Sequence, residues 1–178
     1  MVKKKICMLG SFGVGKTSLT SRFVVSLFDE KYHTSIGVKV DKKVVQLDGK
    51  EVTLMLWDMA GEEENLPIKL NYVRDAAGYI LVMDGLRAKT LEVALNIQER
   101  VRTNIGNLPL VLAVNKKDQR ESWEIRDSHI TELAARGWPL FETSAKTGEQ
   151  VEEMFLTLTG LIMKAQDERS DDPLAEHP

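Results

Sequence analysis

Residues 10–17 read Gly-Ser-Phe-Gly-Val-Gly-Lys-Thr, and no other stretch of the chain constrains its fold as much. The octapeptide matches G-x-x-x-x-G-K-[ST], a pattern that average composition produces in under about 1% of chains this long. Its setting suits its chemistry. Residues 4–9 are a short apolar run that reads as a buried strand, and Leu19, Phe23 and Leu27 make one helical stripe over 16–27. A glycine-rich turn between strand and helix lets backbone N–H groups curl around phosphates, where the helix N-terminus adds positive potential. Lys16 can set its ammonium on β- and γ-phosphates, and the Thr17 hydroxyl can ligate Mg²⁺. The competing account, a glycine-rich turn that holds no ligand, leaves the strand–turn–helix setting unexplained. The octapeptide reads as a nucleoside triphosphate site.

The rest of the chain alternates in the same way. Residues 38–47 and 51–57 flank Asp48-Gly49, a two-residue hairpin signal. Apolar runs follow at 79–83 and 110–114, unbroken rather than alternating, as in parallel strands covered on both faces. Helical periodicity fills 88–104 and 149–165, and a shorter helix is expected around 122–136, ending at Gly137 with Pro139 beyond. Strands alternating with helices predict an α/β fold with a mostly parallel sheet. With 178 residues, the chain is expected to be one domain over 1–166 with a polar, disordered tail over 167–178.

Composition narrows the function classes. A net charge of −3 lacks the basic surplus that nucleic-acid binding relies on. Cys7 is the one cysteine, so no internal disulfide forms, and in a strand it reads as a small buried hydrophobe. No apolar run reaches transmembrane length, and the start lacks a secretory h-region. Val2 excludes myristoylation and no cysteine near the C-terminus offers prenylation. A cytoplasmic protein without lipid anchor or membrane contact is expected, and His33, His129 and His177 are far apart with no partners at metal-ligand spacing. Lys3, Lys4 and Lys5 read as a solvated strand start.

Further motifs choose the nucleotide. The strand ending Leu-Met-Leu-Trp-Asp58 delivers a carboxylate beside the cradle, where it can hold Mg²⁺ through water, and Gly61 completes D-x-x-G. Another apolar strand ends in Asn115-Lys116-Lys117-Asp118. A carboxylate there can accept from N1–H and the exocyclic amine of guanine, a donor pair that adenine lacks. Glu142-Thr143-Ser144-Ala145-Lys146 follows the last strand.

With these five motifs in order, residues 3–165 resemble a Ras-superfamily small GTPase. Trp57-Asp58-x-Ala60-Gly61 and Ser35-Ile36-Gly37-Val38 look more like the Rab branch than Ras proper, and the chain is similar to the Rab-like GTPases of bacteria. The resemblance implies a P-loop G domain: a six-stranded sheet, one edge strand antiparallel, with helices on both faces. It implies that Gly13, Val14, Gly15, Lys16 and Thr17 hold the phosphates and Ser18 the α-phosphate. Phe28 would pack against the guanine and Tyr32 lie over the phosphates. Ser35 would join Thr17 and, through water, Asp58 at Mg²⁺, and Gly61 would give an N–H to the γ-phosphate. Asn115 would tether loops, Lys116 stack on the base and Asp118 read it. Ser144, Ala145 and Lys146 would close the base site, the Ala145 N–H meeting O6. Effectors and regulators would engage segments 28–38 and 59–72, with Trp57, Tyr72 and Val40 on an effector surface, core packing being the competing account of Trp57, and the protein would be a monomer.

Three positions depart from the family pattern. Ser35 replaces Thr, keeping the hydroxyl but losing β-branching. Phe12 stands where relatives have a small residue; its ring either obstructs an arginine arriving from a partner or packs away on a switch loop. Glu62 replaces the glutamine that orients the attacking water. A carboxylate can accept from water as a base, yet its charge opposes the transition state; alternatively Glu62 belongs with Glu63 and Glu64 to a solvated acidic loop. No arginine lies near Tyr32 to Ser35, so none is expected in cis from that loop. The leading expectation is a GTP/GDP switch with slow hydrolysis, in which Glu62, Lys16 and Gly61 serve catalysis. The alternative is a hydrolysis-deficient module that stays GTP-bound. A kinase or ATPase is poorly supported by the Asn-Lys-Lys-Asp tetrad.

Overall fold

The computed structural model describes residues 2–25, 37–63 and 66–170, with the backbone alone at 169 and 170. Six strands, β1 (Val2–Gly10), β2 (Val38–Leu47), β3 (Lys50–Met59), β4 (Gly78–Asp84), β5 (Leu110–Asn115) and β6 (Leu140–Glu142), lie in the order β2-β3-β1-β4-β5-β6. Only the edge pair β2–β3 is antiparallel; the other four pairings are parallel. The hairpin turns at Asp48 (φ 49°) and Gly49 (φ 76°), two successive positive φ angles that match the twist of the strands it joins.

The unbroken apolar character of the strands has a direct cause: both faces are covered. Along β1, Ile6 and Met8 join the layer under α1 (Lys16–Val25) and α4 (Val151–Ser170), with Leu19, Phe23, Met154, Phe155 and Leu158. Cys7 and Leu9 join the opposite layer with α2 (Lys89–Asn104) and α3 (Asp127–Ala134), which contribute Ala94, Ile97, Val101 and Leu133. The Phe23 and Phe155 rings stack with centroids 4.0 Å apart and planes within 8°, joining α1 to α4. No helix among the described residues is long and apolar enough to cross a membrane.

Three local expectations are amended. Instead of one helix over 122–136, Lys117–Ser122 forms 3₁₀ turns and α3 begins only at Asp127. Arg126 is extended and its N–H donates to His129 Nδ1 at 3.1 Å, which starts a separate helix there. The last helix runs to Ser170, beyond the start of the expected tail, and 171–178 lie outside the described residues. Lys4 is buried rather than solvated: its ammonium donates to Gln166 Oε1 on α4, and burial lowers its pKa, with Asp167 opposing.

The strand register brings the chemistry to one edge. Met8 lies beside Asp58, Gly10 beside Val82, Asp84 beside Asn115, and Val114 beside Glu142. The carboxyl ends of β1, β3, β4, β5 and β6 thus converge. Chain order reverses around β1, which has β3 on one side and β4 on the other, leaving the crevice in which open α/β sheets bind ligands.

Candidate functional site

The cradle is the turn from Gly10 into α1. Gly13 (φ 71°) and Gly15 (φ 101°) occupy left-handed backbone, and a β-carbon on Gly15 would fall 2.2 Å from Asn115 Nδ2. Gly15 is therefore required twice, by conformation and by the close approach of Asn115. Lys16 is buried and donates to the carbonyls of Ser11 (2.9 Å) and Gly10 (3.3 Å). Burial lowers its pKa to about 8; the Asp58 carboxylate opposes this and the Arg87 guanidinium adds to it. The Thr17 hydroxyl donates to Asp58 Oδ2 at 2.6 Å, and Asp58 is fully buried. A hydroxyl and a carboxylate from different elements, held within one hydrogen bond, form the hard-oxygen donor set that Mg²⁺ prefers, so these residues fit that ion.

At the other end, Asn115 joins three segments. Its Nδ2 donates to Val14 O (3.0 Å), while its Oδ1 accepts from Thr143 Oγ1 and the Ala145 N–H, each at 3.3 Å. Ser144 Oγ donates to Asp118 Oδ1 at 2.6 Å, orienting that carboxylate on an exposed residue. Arg22 on α1 donates to Ala145 O (2.7 Å) and to Lys146 O, tying the last loop to the helix that begins at the cradle. Lys116 is left-handed (φ 71°), and its ammonium pairs with Asp84 at 2.7 Å. The structure thus gathers Gly13 through Ser18, Asp58, Gly61, Asn115, Lys116, Asp118, Ser144, Ala145 and Lys146 at one sheet edge. Phe28, Tyr32 and Ser35 lie outside the described residues.

Segment 60–63 is docked on the cradle. Glu62 N donates to Gly10 O and Phe12 N donates to Glu62 O, both at 3.0 Å. Gly61 lies so near that a β-carbon there would sit 2.4 Å from Phe12 Cα. The Glu62 carboxylate is not part of a solvated acidic loop: its Oε2 accepts from Arg100 Nη1 (2.6 Å) and from Ile68 N (2.9 Å), and Arg100 Nη2 donates to Ile68 O (3.0 Å). Phe12 is half-buried.

Asp84, Arg87 and Arg100 belong to none of the five motifs. Asp84 carries a signal of its own, being a carboxylate at the end of an apolar run. It is fully buried and its Oδ2 accepts from both Lys116 Nζ (2.7 Å) and Arg87 Nε (2.8 Å). Arg87 Nη2 also donates to Phe12 O at 2.9 Å. The two arginines reach their partners across 75 and 38 residues, which no local spacing discloses.

Comparison with known proteins agrees with this geometry. The Ras family model matches residues 5–164. The chain belongs to the Ras family. Ras-related protein Rab-4 of Dictyostelium discoideum is 36% identical over 161 residues, 89% of this chain and 78% of that protein. Ras-related protein SEC4 of Saccharomyces cerevisiae is 35% identical over 164 residues, 92% of this chain and 76% of that protein. Ras-related protein Rab-27B of Rattus norvegicus is 35% identical over 173 residues, 90% of this chain and 79% of that protein. Within the Ras family, then, this is a Rab-like small GTPase, and its six-stranded sheet with one antiparallel edge strand is that of a P-loop G domain.

Proposed function

We propose that this chain is a guanine-specific switch that binds GTP and GDP with Mg²⁺ and hydrolyses GTP slowly. The observation that carries the reading is the Asn115 side chain, which bonds the phosphate cradle at Val14 and the base loop at Ala145 in one residue. A nucleotide engaging either loop is sensed by the other. Lys16 and the N–H groups of the cradle hold the phosphates, while Asp118, fixed by Ser144, accepts from the guanine edge. Thr17 and Asp58 would hold Mg²⁺, which when bound neutralises phosphate charge and polarises the phosphoryl oxygens. Glu62 and Gly61, already docked on Gly10 and Phe12, are the residues placed to respond to a γ-phosphate.

An effector surface suits the same reading. Val40 lies opposite Trp57 in the β2–β3 ladder, and the Trp57 and Tyr72 rings are 6.5 Å apart. Val40 and Tyr72 are exposed, and Lys5 Nζ lies 4.0 Å from the Trp57 ring centroid. The apolar patch formed by Val40, Trp57 and Tyr72 is where a partner would read the nucleotide state; residues 28–36 of the expected switch segment lie outside the described residues.

The deciding experiment is single-turnover conversion of GTP loaded on the purified protein with Mg²⁺, followed by nucleotide chromatography, with ATP in parallel. Conversion of GTP alone supports the switch. The clamp of Arg100 on Glu62 favours a second reading, a module that holds GTP without turnover. Tight GTP binding with no conversion over hours would select it.

A further inference from the structure

We propose that Arg87 is a catalytic residue supplied from within the chain, donating to the phosphates of bound GTP and stabilising charge on the leaving β-phosphate oxygen. The inference rests on the hydrolase reading above. Its first support is placement. Arg87 follows β4, whose end lies beside the cradle, and its Nη2 donates to the carbonyl of Phe12, the residue preceding Gly13. Its backbone is fixed in a turn: the N–H donates to Asp84 O at 3.0 Å, and the carbonyl accepts from Thr90 Oγ1 at 2.7 Å. Nε is held on Asp84 Oδ2. Among the described residues no hydrogen bond engages Nη1, and the side chain is 45% exposed, so this edge of the fork remains open to an arriving anion.

Charge makes the second argument. One buried carboxylate, Asp84, is shared by two cations, Arg87 and Lys116. Asp58 faces Lys16, whose ammonium also feels Arg87. Lys16 and Arg87 both donate to the cradle turn, and two cations held there favour a polyanion. Arg87 reaches this turn from inside the fold, through its bond to the Phe12 carbonyl.

In the step concerned, water oxygen bonds to the γ-phosphorus and the bond from that phosphorus to the β–γ bridging oxygen breaks. The electron pair stays on the β-phosphate of GDP, and the water's protons end on inorganic phosphate and solvent. Positive charge beside the leaving oxygen lowers the barrier only as that charge develops, so it raises turnover more than ground-state affinity.

The test compares wild type, Arg87→Ala and Arg87→Lys for single-turnover GTP hydrolysis, GDP affinity, and trapping of GDP with aluminium fluoride. Arginine fingers contribute large rate factors, so Arg87→Ala is expected to lose at least about tenfold in hydrolysis with GDP affinity within about threefold. Arg87→Lys keeps the charge on Asp84 but lacks the fork, and is expected to stay within about threefold of Arg87→Ala. Wild type is expected to trap aluminium fluoride and both variants to fail. Hydrolysis in Arg87→Ala within about twofold of an active wild type would overturn this inference alone. So would a loss that merely follows GDP affinity in both variants. A wild type that binds GTP without turnover would overturn the inference together with the hydrolase reading.

Discussion

Lys16 is buried among backbone carbonyls with its pKa drawn down to about 8 from an ordinary 10.5. Between those values the unfolded chain binds more protons than the folded one, so stability of the nucleotide-free protein rises with pH across that window. The phosphates of a bound nucleotide, GDP included, favour the charged ammonium and raise its pKa again. Binding therefore takes up a proton near pH 8, and affinity for GDP falls as pH climbs further. Calorimetry in two buffers of different ionisation enthalpy reads this uptake, which is expected to vanish in Lys16→Ala; equal observed heats in the two buffers would contradict it. Glu62 and Arg100 supply a second prediction at this scale. Their half-buried ion pair is expected to show a coupling of about 1 kcal/mol in a double-mutant cycle followed by urea unfolding. No coupling would mean that the contact does not hold Glu62 and Ile68 in place.

At the scale of elements, α1 carries Lys16 and Thr17 at its start and Phe23 in its last turns, stacked on Phe155 of α4. Phe23→Ala is expected to cost about 3–5 kcal/mol of stability. Because the same helix presents the cradle, GDP affinity should fall as well, by more than in a variant that loosens the base loop alone. Thermal unfolding with and without GDP measures both. The strands of this layer were legible because each was a short apolar run, and burial on both faces leaves no alternation to confuse the reading. The cradle and base motifs were legible because their residues are consecutive. The helix expected over 122–136 was not, because its boundary depends on tertiary partners: Arg120 pairs with both Asp127 and Glu142, and Trp123 Nε1 donates to Lys116 O at 2.9 Å. Arg87 and Arg100 escaped for the same reason, their roles being set by chain segments that only the fold brings near.

Over the whole molecule, one edge of the sheet joins a phosphate cradle, a base-reading loop and the docked segment 60–63. Asn115 links the first two through side-chain bonds, and Glu62 joins the third through its backbone. Loading with a non-hydrolysable GTP analogue in place of GDP is expected to change amide exchange at 10–12 and 60–63 while leaving β4 and β5 unaltered; uniform exchange in the two states would remove the switch. The central claim is narrower, that this edge recognises guanine through Asp118. Competition against a fluorescent GDP with Mg²⁺ tests it most directly. GTP is expected to displace the probe stoichiometrically, ATP to leave it bound even at about a hundredfold excess, and Asp118→Ala to lose the difference. Equal displacement by ATP and GTP would contradict the account.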